Sequence, residues 1–211
     1  MTGLHPPAIT GVDTHAHIFR QDLLMVSNRR YSPHYDALVE QYLAHLDRHG
    51  LSHGVLIQPS FLGTDNHFML DALRRYPQRL RGVAVVDASI SDTQLDELEE
   101  AGVVGIRLNL IGKALTEYAS AEWMGLFARL GARGWQVEIQ RGIDDVALVI
   151  PGLLACGVTV VIDHFGLPTG GIDAGIDAIL SILTGDAEEW QRRAELREDP
   201  SSTMDTVITF L

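Results

Sequence analysis

Read from its first residue, the chain alternates short apolar runs with longer stretches in which apolar residues recur every three or four positions. The short runs are rich in Val, Ile and Leu and lie beside glycines: Gly11–His17, Gly54–Gln58, Gly82–Val86, Gly105–Asn109, Gln136–Gln140 and Val158–Asp163. Compact runs of this kind fit strands of a parallel sheet whose two faces are both covered. The longer stretches read as helices. Asp36–His49 carries Leu38, Val39, Tyr42, Leu43 and Leu46 at helical spacing, and Gly50 stands where a left-handed stop belongs. Ser91 with Gln94 makes a capping-box pattern ahead of Leu95 and Leu98, and Gly102 closes that helix. Glu122–Leu130 and Val146–Leu154 repeat the theme, with Pro151 kinking or ending the latter.

Repeated βα units of this length imply a parallel sheet, open or closed into a barrel. After Ile172–Leu183 the pattern changes. Thr184–Thr206 is polar and charged, Trp190 and Leu196 could hold a helix but no strand stands out, and only Val207–Leu211 is apolar again. The expectation is one α/β domain over 1–183 and an atypical polar tail over 184–211.

Composition narrows the function. Apolar residues make up 46% and charged residues 21%, as in ordinary globular domains. The net charge of −12 and the scattered Lys and Arg argue against a nucleic-acid partner. No apolar stretch is long enough for a membrane helix, and the start has no secretory pattern. With one cysteine, Cys156, no intrachain disulfide forms, and a cytoplasmic location is expected.

The sharpest chemical signal is VDTHAHIF. On a regular strand Asp13, His15 and His17 share one face, with the two imidazoles about 7 Å apart. They would converge on one metal ion or one carbonyl oxygen, with Asp13 orienting a ring. The bland alternative is a pair of buried, hydrogen-bonded histidines. Asp163–His164 follows VTVVI and precedes a glycine turn, where barrel enzymes place catalytic side chains; a capping and turn role is the alternative. Arg107, in GIRLN, is a cation on a buried strand, so it has a partner or binds an anion. Lys113 follows shortly after. Asn109, Gln58 and Gln140 stand at strand ends, where they could donate hydrogen bonds.

Taken in order, VDTHAHIF, RRYSP (Arg29–Pro33), Gln58 through GTDN, RGVAVV, GIRLN and VIDHFGLP resemble one amidohydrolase branch, that of the pyrone-dicarboxylate and sulfomuconolactone lactonases. The resemblance covers about Gly11 to Ile179. It implies a TIM-type (β/α) barrel, incomplete at about six βα units, with the last two strands missing. It implies catalytic roles for His15, His17 and His164, and a substrate carboxylate held by Arg107 with Lys113, Tyr31 and Gln140 nearby. Either one divalent metal, zinc or manganese on His15 and His17, or no metal at all fits this branch.

Two departures stand out. Leu167 occupies the place of a substrate-binding arginine in the dicarboxylate lactonases, and the branch's strand-eight Trp-Gly-Ser/Thr-Asp-Trp motif is absent. The expected function is hydrolysis of the lactone of a small carboxylated molecule. Alternatives are a metal-dependent decarboxylase of the related barrel branch, or an inactive truncated remnant or interaction protein. With strands one and six at open edges, a chain interrupted near Thr184 is expected to self-associate and to be a poor catalyst.

Overall fold

The computed structural model describes residues 8–146, 149–167 and 208–210. The chain divides into two compact units, residues 1–107 and 108–211. The division expected at 183/184 lies outside the described residues.

In the first unit, four strands follow one another in order: β1 (Val12–Ala16), β2 (His53–Ile57), β3 (Leu80–Ala84) and β4 (Val103–Asn109), the last crossing into the second unit. β1 pairs with β2, β2 with β3 and β3 with β4, all parallel. The connections are α1 (Val39–Arg48), α2 (His67–Arg75) and α3 (Asp92–Glu100). Each helix turns its apolar stripe inward. Val39, Leu43 and Leu46 of α1, Met69, Ala72 and Leu73 of α2, and Leu95 and Leu98 of α3 are buried.

The predicted stops hold. Gly50 has φ 70° and Gly102 φ 100°, a conformation glycine adopts without a steric penalty. Ser91 Oγ accepts from the Gln94 amide, and the Gln94 side chain accepts from the Ser91 amide. Helix α2 was not among the expected elements. Gly82 of β3 lies beneath it: a Cβ there would come 2.6 Å from Leu73 Cδ1, so the missing side chain lets helix and strand pack closely.

The second unit continues the theme with α4 (Ala121–Ala132), β5 (Gln136–Gln140), α5 (Ile143–Val146), α6 (Ile150–Ala155) and β6 (Thr159–Ile162). Strands β5 and β6 are parallel and in register. Leu126, Leu130, Val137, Ile139, Leu153 and Ile162 are fully buried in its core. Pro151 ends nothing here; it lies in the first turn of α6, where its missing N–H has no intrahelical partner to lose.

All six expected strands are present within a few residues of their predicted bounds. One further strand was not expected. β7 (Ile208–Phe210), in the short apolar run at the end of the tail, pairs antiparallel with β6. The far edge of β6 is therefore not open, as the sequence had implied. Among the described residues no helix is long and apolar enough to cross a membrane.

Two glycines on α4 should respond in opposite directions to alanine. A Cβ on Gly131 would lie 2.0 Å from the Cys156 carbonyl oxygen, and a backbone atom cannot yield as a side chain does. Gly131→Ala should cost about 1–3 kcal/mol through forced displacement. Exposed Gly125 has nothing within 4 Å of its Cβ position. Gly125→Ala should stabilise by about 0.5–1 kcal/mol, because alanine loses less backbone entropy in a helix. Urea unfolding of both variants checks the pair. Equal effects would mean that the helix repositions freely against the Cys156 turn.

Candidate active site

Strand β1 and the residue just past its end deliver the two histidines. The His15 and His17 rings meet edge to face, with centroids 5.0 Å apart and planes at 80°. His17 Nδ1 lies 2.7 Å from the Ile57 carbonyl oxygen on the neighbouring strand. A carbonyl only accepts, so Nδ1 carries a proton, and in the neutral ring Nε2 then keeps its lone pair. This is the tautomer a metal ligand or a proton acceptor requires, held by a backbone group that cannot rotate away.

Asp13 does not share the histidines' face. Asp13 pairs with Gly54 and Ala16 with Leu56, so three steps along β1 match two along β2. The extra residue is a bulge, and it resets the alternation on which the sequence expectation relied. Asp13 and Ala16 fall on one face, and His17, next to Ala16, on the other. The Gly54 side of the sheet is occupied by Tyr42 of α1. There Asp13 Oδ1 accepts from the His15 amide at 3.1 Å. The Tyr42 hydroxyl is buried and lies beside the Asp13 carboxylate, outside strict hydrogen-bond geometry. Burial, reinforced by the Asp13 charge, pushes this phenol far above its ordinary pKa.

In the second unit the end of β6 is strained. His164 (φ 51°), Phe165 (φ 54°) and Leu167 (φ 47°) are all left-handed, and none is glycine. Each such residue costs about 1–2 kcal/mol, which the surrounding structure must offset. The turn sets His164 beside buried Asp163, with Nε2 and Oδ1 3.4 Å apart. Leu167 is partly exposed.

The remaining predicted residues are spread over both units. Arg107, on β4, is 4% exposed and is not an isolated cation. Lys113 is exposed in the loop after β4, and Gln140 is half-buried at the end of β5, its carbonyl accepting from the Leu110 amide. Tyr31 is 54% exposed in the loop after β1, its ring 6.2 Å from that of Phe61. A hydrogen bond with Tyr35 raises its pKa. The structure thus brings His15 together with His17, and Asp163 together with His164.

Two residues escaped the sequence reading. Glu138, 1% exposed in the middle of β5, is a buried carboxylate; its signal was the alternation Gln136, Glu138, Gln140. Arg141 is the other. Its guanidinium donates to the Leu110 carbonyl and, at 3.1 Å, to the Lys113 carbonyl, and it pairs with Asp145 at 2.7 Å. It ties the loop after β4 to the loop after β5. The signal was an arginine at a strand end with an aspartate four residues on.

These features coincide with a known family. The model of the Amidohydrolase family matches residues 12–206. The chain belongs to the amidohydrolase family. Among curated relatives, a 2-pyrone-4,6-dicarboxylate hydrolase of Comamonas testosteroni is 35% identical over 167 residues, 77% of this chain and 54% of the relative. A 4-sulfomuconolactone hydrolase of Rhizobium radiobacter is 32% identical over 162 residues, 73% of this chain and 52% of the relative. Among solved structures, a probable 2-pyrone-4,6-dicarboxylic acid hydrolase of Acinetobacter baumannii, with citric acid bound, matches with TM-score 0.78 and 40% identity. The match covers 82% of this chain and 66% of that one. The chain spans about half the length of the curated relatives it matches. Its α/β fold is that of the matched part of these amidohydrolase barrels.

Arg141→Ala should lower stability by on the order of 2 kcal/mol, since two carbonyls and a carboxylate lose a charged donor together. Arg141→Lys should recover only part of that, because one ammonium cannot span the three acceptors. Thermal unfolding of the three proteins checks the order parent, Lys, Ala. An alanine variant as stable as the parent would show that the clamp contributes nothing.

Proposed function

We propose that this chain carries the catalytic histidines of a hydrolase that opens the lactone ring of a small carboxylated molecule. The observation that carries the reading is His17, held through Nδ1 by the Ile57 carbonyl so that Nε2 is the nitrogen turned to chemistry, with His15 against it. The relatives named as lactone hydrolases, and the citric acid held by the Acinetobacter protein, point to a carboxylated substrate.

In this reading His15, His17 and His164 serve one site. The donor set suits a divalent ion such as zinc or manganese, because the Nδ1–H···O=C bond presents His17 as a neutral imidazole ligand. His15 and His17 would hold the ion, which when bound supplies Lewis acidity toward a carbonyl and lowers the pKa of water. Catalysis without a metal, by the histidines alone, is the other form of the same proposal.

The chain's own residues do the rest. Arg107 takes the substrate carboxylate through two parallel N–H···O bonds, with Lys113 from the loop after β4, Gln140 from the end of β5 and Tyr31 from the loop after β1 completing the grip. Water adds to the ring carbonyl carbon and gives up a proton, the ring C–O bond breaks, and the departing oxygen takes up a proton. His164, with Asp163 beside it, is the group for that proton transfer. Leu167, where the dicarboxylate lactonases have an arginine, favours a substrate with fewer acidic groups than the pyrone dicarboxylate. A cytoplasmic location and self-association accompany the proposal.

Ring opening of monocarboxylated lactones and of the pyrone dicarboxylate, followed by loss of ultraviolet absorbance, tests it. The parent should open the former faster. His17→Asn should lose ~100-fold or more in kcat. Arg107→Ala should raise KM, with a loss of about 2–3 kcal/mol in substrate binding. Turnover by His17→Asn at the parent's rate, or a folded parent inert toward every lactone, would sink the proposal.

A further inference from the structure

We propose that Asp13 and Tyr42 act as a positioning pair that holds the β1 bulge closed from the far face of the sheet and thereby sets where His15 points. The inference rests on the proposed role of His15 in the site.

A bulge leaves one residue of the longer strand without a ladder partner, and its backbone groups must find others. Here the extra residue falls between Asp13 and Ala16. The Asp13 carboxylate closes the gap locally, accepting the His15 N–H across Thr14. An aspartate bonding two residues ahead is a familiar way of pinning a local turn. The Tyr42 hydroxyl of α1 lies beside that carboxylate. The tip of the Tyr42 ring fills the space over Gly54, the residue that pairs with Asp13: a Cβ on Gly54 would lie 2.2 Å from the hydroxyl oxygen and 2.8 Å from Cε1. Position 54 must therefore lack a side chain for Tyr42 to reach Asp13.

The two histidines are thus fixed by different means. His17 is held directly, by a backbone carbonyl on β2. The His15 backbone is held at the bulge by the Asp13 carboxylate, with Tyr42 behind it. Neither positioning residue touches the reacting groups in this arrangement.

Amide hydrogen exchange and ring 15N shifts, read by NMR on the intact chain, test this without requiring turnover. In Asp13→Ala, His15 amide exchange should speed up by ~10-fold or more beyond any change in global unfolding, and the His15 ring signals should move. The His17 ring signals should stay in place. Asp13→Asn keeps an acceptor oxygen at the same atom and should behave like the parent. Where Asp13→Ala does not fold, Tyr42→Phe, which deletes one oxygen, should show the same selective response of His15 at smaller size. Unchanged His15 in Asp13→Ala, or in Tyr42→Phe where that variant stands in for it, overturns the inference. So do equal shifts of His15 and His17, and an Asn variant no better than Ala. An inert but well-folded parent would overturn the lactonase reading and leave these measurements to decide the positioning role separately.

Discussion

The hydrogen bond from His17 Nδ1 to the Ile57 carbonyl joins the chemistry of this chain to its fold. An imidazole is useful only when one nitrogen is committed, because the protonation of the first sets what the second can do. Side-chain partners can rotate or titrate. A strand carbonyl can do neither, and its position is set by the ladder between β2 and β3. Leu56 and Ile57 are fully buried, so displacing that carbonyl would disturb the packed centre of the first unit. The His17 ring inherits the rigidity of the core through that carbonyl.

The same economy extends to the loops at the strand ends. Gln58, 1% exposed just after β2, donates from Nε2 to the Asp65 carbonyl at 2.7 Å and to the Gly63 carbonyl at 3.4 Å. Asn66 gives and takes hydrogen bonds with the backbone of Val85, after β3. Arg141 does the equivalent work in the second unit. In each case one polar side chain satisfies backbone groups that a loop would otherwise leave unmet, and it fixes the loop to a strand. Loops held this way can present side chains as precisely placed as those on the strands themselves.

How far the sequence revealed this depended on the range of the signal. Buried parallel strands announce themselves locally as apolar runs beside glycines, and all six were legible. Capped helices were legible too, as Ser91 and Gln94 show. Helix α2 was not, because its start, Asn66–His67, reads as the end of the GTDN turn. Asp13 was placed on the wrong face for a definite reason: a period of two cannot register an inserted residue, and the bulge is visible only in the pairing of β1 with β2. Glu138 was passed over because it stands between Val137 and Ile139 in a run read only as a buried strand, where a carboxylate at its centre needed a role of its own. The strand pattern brought the histidines and Arg107 into view and the resemblance gave them roles, but the partner of His17 Nδ1 could come only from coordinates.

The two ends of the proposed machinery are secured in opposite ways, and the difference bears on how each tolerates change. His17 gains a favourable bond in its working orientation, so substitutions around it are absorbed until they move the β2 backbone. His164 stands in a left-handed turn with Phe165 and Leu167, three residues whose side chains disfavour that backbone. Such a turn persists only while its surroundings offset its cost, and the Leu167 amide bonding back to the His164 carbonyl at 2.9 Å is one visible contribution. Glycine at any of the three would relieve strain and loosen the turn together. Retaining Cβ-bearing residues there trades stability for a defined direction at His164, as is expected where a side chain must meet a reacting group. The strained turn at His164 should therefore lose its geometry before the first unit unfolds, while the His15–His17 pair persists as long as that unit stays folded.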